Sequence, residues 1–237
     1  MGIEWVYDWQ AALALLALVA AITIVGKKLV FLVPALAEAR AYNLAQDAKK
    51  LAQAKYPVMV QWTNRVGLAC NLFLYMAVAP FVVSFAAKPA WQYIIDVVAV
   101  LMFYDFFYYL MHRFLFHGKG YFRKVHGIHH QARSPTYIDA LYVHPLETFL
   151  GLSLFTLAIA VVGYAVGGMN VFATAVCIVI YTQINVVNHT RVDLPRFPFK
   201  TLSWITAKHA VHHENMHRGN YASITLLFDK VFGTFDR

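Results

Sequence analysis

Charged side chains and cysteines are both scarce in this chain. Of its 237 residues only 14% are charged, whereas 60% are hydrophobic, and the mean hydropathy is +0.53. Soluble globular domains carry about 25% charged residues, so this composition excludes an ordinary soluble protein and indicates an integral membrane protein. The two cysteines, Cys70 and Cys177, lie inside apolar runs, which excludes a disulfide framework and a thiolate metal site.

Interdomain linkers and nucleic-acid-binding motifs are also lacking. We therefore expect a single membrane domain over residues 1–237. The net charge of +8 does not indicate a nucleic-acid partner, because the basic residues lie between apolar segments, where they report membrane topology.

Five apolar segments are long enough to form transmembrane or hairpin helices at 1.5 Å per residue, against a hydrocarbon layer of roughly 30 Å. They cover about residues 11–33, 66–87, 91–111, 146–166 and 171–187. Length alone leaves open whether the last two cross fully or only dip into the bilayer. The predicted fold is an all-α integral membrane protein with four to five transmembrane helices and a cytosolic helical cap that holds a histidine-rich dinuclear metal site.

The charges between these segments predict the topology. Residues 1–10 hold no basic side chain, so the N-terminus is predicted outside, and the basic clusters place residues 112–145 and 188–237 in the cytosol as the cap. Within residues 34–65 an amphipathic helix is expected either on the cytoplasmic membrane surface or as a solvated helix.

Two HxxHH boxes are the most informative pattern in the chain. They comprise His126, His129 and His130, and His209, His212 and His213. On a helix that turns about 100° per residue, positions i, i+3 and i+4 fall within an arc of roughly 100°, so each box projects three imidazoles from one face.

An HxxxxH pair precedes the first box. On a regular helix His112 and His117 would lie about 140° apart. We therefore expect the helix to end or distort between them, with Gly118 and Gly120 supplying the break.

Clustered imidazoles at such spacings are typical of metal sites. The candidate ligands are His112, His117, His126, His129, His130, His144, His189, His209, His212 and His213. Nine or ten nitrogens are more than one ion can bind, and they match two ions that each keep one coordination position open. Imidazole suits iron, zinc, copper and nickel alike, whereas the apolar surroundings favour a lipid substrate and oxygen chemistry on C–H bonds.

Four carboxylates could accept the second ring N–H of a ligand imidazole and so orient it. They are Asp105, Glu147, Asp193 and Glu214. Asp105 lies seven residues before His112 on nearly the same helix face, with a cap or a lipid-headgroup contact as the alternative. Asp193 follows His189 by four residues, and Glu147 and Glu214 could equally be plain interface residues.

The order HxxxxH, HxxHH, lone His and HxxHH resembles the fatty acid hydroxylase and sterol desaturase superfamily of membrane non-haem di-iron enzymes. VHPLE at Val143–Glu147, GNYAS at Gly219–Ser223 and FDKVFGT at Phe228–Thr234 are most similar to the methylsterol oxidase branch. The resemblance covers roughly residues 95–237. Phe228 departs from it, because the family usually has Trp there.

The resemblance implies an O2-dependent di-iron oxygenase that hydroxylates or desaturates a C–H bond of a lipid. Its cofactors would be two iron ions, with O2 as co-substrate, although zinc can occupy such a site in a purified sample. Electrons would come from a separate ferredoxin or small haem protein with its reductase. The family's ligand positions carry over to the nine candidate histidines other than His144, which matches the family's HP-x-E position.

Two other classes of function remain open from the sequence. A zinc-dependent membrane hydrolase would use metal-bound hydroxide, with Glu214 as its general base. A non-catalytic metal-binding or transport protein would line a path across the bilayer with polar residues, whereas here the histidines are predicted on one side.

Overall fold

The computed structural model describes residues 7–194 and 196–237, so residues 1–6, on which part of the N-terminal topology prediction rests, lie outside the described chain. The described elements are helical except for one pair of two-residue strands. In chain order they are α1 (Trp9–Val30), α2 (Pro34–Leu51), α3 (Lys55–Phe73), α4 (Ala79–Val82), β1 (Val83–Ser84), α5 (Ala90–Leu110), α6 (Tyr121–His129), α7 (Pro145–Ala165), β2 (Met169–Asn170), α8 (Val171–Asn188), α9 (Lys200–Glu214) and α10 (Leu227–Val231). Two π-helical segments, Leu74–Val78 and Met111–Phe116, follow α3 and α5, and a 3-10 turn covers Tyr137–Ala140.

Within the described residues, five helical stretches are long and apolar enough to cross a membrane. They are Trp9–Val30, Lys55–Val82, Ala90–Phe116, Pro145–Ala165 and Val171–Asn188. Only 6–33% of the residues in their apolar windows are buried inside the protein, so most of these side chains face outward, as a bilayer requires. The all-α fold with five apolar spans is therefore confirmed.

The second span begins earlier than predicted. The prediction started this span at residue 66, directly after Arg65, and ended it at residue 87. In the structure the helix begins at Lys55, and the guanidinium of Arg65 lies over the ring of Trp62, 5.1 Å from its centroid. Long basic side chains can lie along an apolar helix in this way, so Arg65 does not mark its start.

Small side chains allow the spans to pack closely. α1 packs mainly against α8, α3 against α7, and α5 against both α7 and α8. At Gly163 of α7 a Cβ atom would lie 2.8 Å from Cβ of Val82, which shows how closely the α7 and α4 backbones approach. Asp96, buried within α5, is paired with Lys88 at 3.0 Å and accepts from Gln92 at 2.8 Å, so its charge is compensated.

The two ends of the bundle differ in structure. At one end β1 and β2 pair in parallel, and the amide of Asp8 donates to the carbonyl of Pro80 at 2.8 Å. At the other end α6, α9 and their connecting loops carry the histidines and form the cap.

α2 is packed onto this cap by a buried polar face. The side chain of Asn43 bonds both backbone groups of Arg191, at 2.9 and 3.0 Å, and Asp47 accepts from the amide of Ile138 at 3.1 Å. Lys50 pairs with Asp139, which also accepts from Tyr56 at 2.8 Å. α2 is therefore a strap over the cap, which neither of the predicted placements described.

Candidate metal centre

A π-helical turn brings the HxxxxH pair together. The amide of His117 donates to the carbonyl of His112 at 2.9 Å, an i to i+5 bond that closes the π turn Met111–Phe116. Residues five apart are neighbours on such a turn, and the two imidazole centroids lie 4.9 Å apart. The predicted distortion between these histidines is confirmed, and its form explains the spacing.

Gly118 makes the exit from this turn possible. A Cβ atom at Gly118 would overlap the carbonyl oxygen of Phe114, whereas a Cβ atom at Gly120 would meet nothing within 4 Å. Of the two glycines predicted to break the helix, only Gly118 is required by a close backbone approach.

Nine of the candidate histidines converge in two groups. Within each group the potential ligand atoms all lie within 4.8 Å of one another. Group 1 consists of His112, His117, His126, His130 and His212, and group 2 consists of His129, His189, His209 and His213. The groups adjoin, because the rings of His130 and His213 stack with centroids 5.0 Å apart.

Each HxxHH box is divided between the two groups. The i and i+4 members of the first box, His126 and His130, join group 1, whereas those of the second box, His209 and His213, join group 2. The i+3 member of each box crosses to the other group: His129 to group 2 and His212 to group 1. Each group therefore takes ligands from both α6 and α9.

The imidazoles are held in the tautomer that a metal needs. Five Nδ1 atoms donate to backbone carbonyls: His112 to Tyr221 (2.6 Å), His117 to Met216 (2.9 Å), His129 to Tyr142 (3.3 Å), His189 to Asn185 (2.7 Å) and His212 to Gly219 (2.7 Å). A sixth, on His126, donates to Oε1 of Glu147 at 2.7 Å. Because the ring proton is at Nδ1, each Nε2 is left with a lone pair.

The Nε2 atoms face one another across each group. Those of His112 and His126 lie 2.9 Å apart, and those of His129 and His189 lie 3.0 Å apart. All four rings already donate from Nδ1, so these Nε2 pairs have no proton to share and a cation between them relieves the repulsion. Nε2 of His117 is also buried without a hydrogen-bond partner. The donor set thus fits two metal ions.

Burial keeps the imidazoles outside the spans neutral. It lowers the pKa of His117 to about 4, although the bond to the Met216 carbonyl opposes the shift. Burial, reinforced by His129, lowers the pKa of His189 to about 3. Burial and neighbouring imidazoles likewise depress the pKa of His212 and His213 well below the ordinary value, so the rings are unprotonated at neutral pH.

His144 lies outside both groups. It is the N-cap of α7, where its Nδ1 accepts from the amide of Leu146 at 3.1 Å. The structure therefore gives this imidazole a capping role and leaves nine histidines in the candidate ligand set.

Three of the four carboxylates proposed to orient the ligands do not contact them. Asp105 instead accepts from the amides of Ser223, Ile224 and Thr225 at 2.8–3.1 Å. The same loop carries Tyr221, whose carbonyl accepts from His112, so Asp105 supports His112 only indirectly. Asp193 is exposed, and Nδ1 of His189 donates instead to the carbonyl of Asn185 in its own helix.

Glu214 is also exposed and pairs with Arg218 at 3.3 Å. It therefore does not provide the base that a zinc hydrolase would need. Only Glu147 meets a ligand imidazole.

For His112 and His189, a backbone carbonyl accepts the Nδ1 proton that the sequence predicted a carboxylate would accept. Every residue carries a carbonyl, so the sequence holds no signal for those of Tyr221, Met216 or Gly219. Asn188, directly before His189, was also missed; it donates from Nδ2 to the carbonyl of Ser223 at 2.8 Å.

A mostly apolar cavity of about 230 Å³ adjoins group 2. It is lined by Asn188, Trp204, Ile205, His209, Asn220 and the segment 222–226. A ligand in this cavity would reach the four-histidine group through His209.

Comparison with known proteins adds an independent line of support. The model of the fatty acid hydroxylase family matches residues 97–234, a stretch that contains all nine histidines of the two groups. Methylsterol monooxygenase 1 of Gallus gallus is 35% identical over 133 residues, which cover 55% of this chain and 42% of that protein. Methylsterol monooxygenase 1 of Rattus norvegicus is 32% identical over 133 residues, covering 55% and 43%.

A third relative carries a different name. Very-long-chain aldehyde decarbonylase GL1-11 of Oryza sativa subsp. indica is 32% identical over 152 residues, covering 62% of this chain and 54% of that protein. The chain spans about half the length of the curated relatives it matches. No solved structure matches it.

Proposed function

Because the chain belongs to the fatty acid hydroxylase family, we propose that it is a membrane-bound, O2-dependent di-iron oxygenase that hydroxylates or desaturates a C–H bond of a lipid. The observation that carries this proposal is the convergence of nine imidazoles into two adjoining groups. Groups of five and four nitrogens suit two ions, each with an open position for a further ligand. Five apolar spans beside the groups suit a substrate that is dissolved in the bilayer.

The protein's own residues supply binding, orientation and exclusion of water. Group 1 and group 2 would each hold one iron ion, and the bound ions supply the activation of O2 that no side chain can provide. The Nδ1 bonds to carbonyls and to Glu147 fix six of the nine rings and keep their Nε2 lone pairs available. The apolar cavity beside His209 keeps water from the reacting carbon.

We propose that the chain forms one membrane domain with its cap on the cytoplasmic side and its N-terminus on the other. The support is the distribution of charge: basic residues flank the histidine end of the spans, whereas Asp8 begins α1 at the opposite end. The positive-inside rule then places the cap in the cytosol. There a separate ferredoxin or small haem protein could deliver two electrons.

A sterol is the first substrate class to test, since two of the relatives are named methylsterol monooxygenases. A very-long-chain aldehyde is the second, on the strength of the decarbonylase relative. Both are apolar molecules that would enter from the membrane.

Anaerobic purification under reducing conditions, followed by metal counting and assay, tests the function. We expect two irons per chain, O2 uptake that depends on reductant, and a lipid product that is either heavier by one oxygen (hydroxylation) or lighter by two hydrogens (desaturation). His129→Ala and His212→Ala should abolish uptake, whereas His217→Ala, which alters an exposed histidine outside both groups, should not. Two zincs with hydrolysis that needs no O2 would contradict the proposal.

A further inference from the structure

The strap α2 lies outside the part of the chain that the family model matches, yet it bonds two segments of the cap. The family model begins at residue 97, whereas α2 ends at Leu51. Within the described chain, the hydrogen bonds from α2 to the cap go to residues 134–139 and to Arg191. Both segments adjoin histidines of group 2, so the strap is placed to act on one of the two groups.

Asn43 fixes the chain where it leaves α8 after His189. Its Nδ2 donates to the carbonyl of Arg191 at 2.9 Å, and its Oδ1 accepts from the amide of the same residue at 3.0 Å. Asn43 is fully buried, so water does not compete for these bonds. His189 is the C-cap of α8, two residues before Arg191. Because helix ends fray unless they are held, the Asn43 bonds limit how far this imidazole can move.

Lys50 fixes the turn that orients His129. It pairs with Asp139 and donates to the carbonyl of Ser134 at 2.8 Å. The carbonyl of Asp139 in turn accepts from the amide of Tyr142 at 3.2 Å. Tyr142 provides the carbonyl that accepts from Nδ1 of His129. A displaced turn would therefore move the acceptor that keeps the ring proton on Nδ1.

Group 1 has no comparable link to α2 among the described residues. The acceptors that bond Nδ1 of its rings are the carbonyls of Tyr221, Met216 and Gly219 and the carboxylate of Glu147. In the described chain α2 forms no hydrogen bond with any of these four residues. The two groups therefore differ in their dependence on the strap.

We propose that α2 is a positioning element for group 2 and sets the affinity of its ion. Asn43 acts on His189 through the backbone that follows it. Lys50 acts on His129 through the turn that carries Tyr142. The inference rests on the proposed function in one respect, namely that both groups bind metal ions.

A matched pair of lysine variants tests the inference. Lys50 and Lys88 each pair with a fully buried aspartate, and their side chains are 19% and 15% exposed, but Lys88 lies at the opposite end of the spans. Lys50→Met and Lys88→Met should both lower the Tm in detergent. Competitive chelation of the anaerobic, reduced holoprotein should remove one of two irons from Lys50→Met at about 10-fold lower chelator concentration than from the wild-type protein. Lys88→Met should hold both ions as the wild-type protein does.

The sign of this effect separates positioning from charge. Burial is the main cause of the lowered pKa of His189, and the charge of Lys50 adds to it, so this ammonium disfavours a cation nearby. Removing it also leaves Asp139 without its cation. By electrostatics alone Lys50→Met would therefore hold its ion more tightly, and a weaker hold reports the loss of positioning.

Further variants assign the effect to the strap and to group 2. Lys50→Arg keeps a cation for Asp139 and should restore wild-type retention of iron. Asn43→Leu removes both bonds to Arg191 and should release the same ion as Lys50→Met, and it carries the test if Lys50→Met fails to fold. His209→Ala removes a ligand of group 2 alone. Adding Lys50→Met to His209→Ala should leave retention of the remaining ion unchanged.

The outcomes separate this inference from the proposed function. Wild-type retention of both ions in Lys50→Met and Asn43→Leu overturns the inference, as does equal loss of both ions. Loss of one ion from Lys88→Met as well would assign the effect to general instability and overturn it too. Because the readout is retention of ions and not turnover, a wild-type protein that holds two ions but oxidises no lipid contradicts only the proposed function. A wild-type protein that binds fewer than two ions contradicts both.

Discussion

At the residue scale, most imidazoles of the two groups use their two nitrogens for different purposes. Nε2 faces a potential ion, and in six of the nine rings Nδ1 donates to a protein oxygen. The ion-facing lone pair exists because the ring proton is held on the other side. Removing such an acceptor should therefore weaken the bound ion without touching a ligand.

Glu147 tests this prediction, because it is the one side chain among the six acceptors that bond a ligand Nδ1. Glu147→Ala should weaken binding of the group 1 ion about 10- to 100-fold and leave the group 2 ion in place. Competitive chelation would then remove one of two ions at a lower chelator concentration than in the wild-type protein. Glu214→Ala, which removes an exposed carboxylate, is the control, and unchanged chelation of both ions in Glu147→Ala would contradict the prediction.

At the element scale, the site depends on a π turn and on one anchored loop. The turn aligns His112 with His117, and Asp105 holds the backbone of residues 223–225. The sequence predicted that the helix must distort after His112, because α-helical geometry separates the pair. It could not predict how the HxxHH boxes divide, because i, i+3 and i+4 share one face and only the docking of α6 against α9 decides which ring meets which.

The close approach at Gly118 gives a sharp prediction for the turn. Gly118→Ala places a methyl group onto the Phe114 carbonyl, so we expect loss of the π turn, with loss of group 1 metal and a lowered Tm. Gly120→Ala, two residues away, meets nothing within 4 Å and has an extended φ of −161°. It should retain both ions, and the prediction is wrong if the two variants bind metal equally well.

The anchored loop gives a second prediction at this scale. Asp105→Ala leaves three amides without their acceptor, which should cost about 2–5 kcal/mol of unfolding free energy. Because the same loop carries the carbonyl that fixes His112, metal affinity of group 1 should fall as well. Thermal unfolding in detergent, with and without added iron, measures both effects. A variant that is destabilised but binds iron normally would show that the loop does not orient His112.

At the scale of the whole molecule, five spans expose apolar side chains and one end carries the polar site. The sequence predicted this arrangement well, since span length and composition are local properties. It missed the strap made by α2, because the strap depends on contacts between distant segments, such as Asn43 with Arg191. It also started the second helix too late, because it took Arg65 as a boundary although this side chain lies along the helix over Trp62.

Topology is the prediction that belongs to this scale. Cys70 and Cys177 are first changed to serine, and then Ala87→Cys and Lys124→Cys, both at exposed positions, are introduced separately at opposite ends of the spans. In intact cells an impermeant thiol reagent should label Ala87→Cys, which follows β1, and spare Lys124→Cys, which lies on α6 in the cap. Labelling of Lys124→Cys alone would invert the proposed orientation.

The division of each HxxHH box between the two groups has a consequence for how the protein matures. Neither group has its complete set of ligands until both boxes are present. Group 2 depends on this most, because before α9 is made it has only His129 and His189 of its four histidines, and a nascent chain at that stage cannot hold a metal ion there. Because the boxes are divided between the groups, full metal binding requires that α6 and α9 have both been made and have packed together.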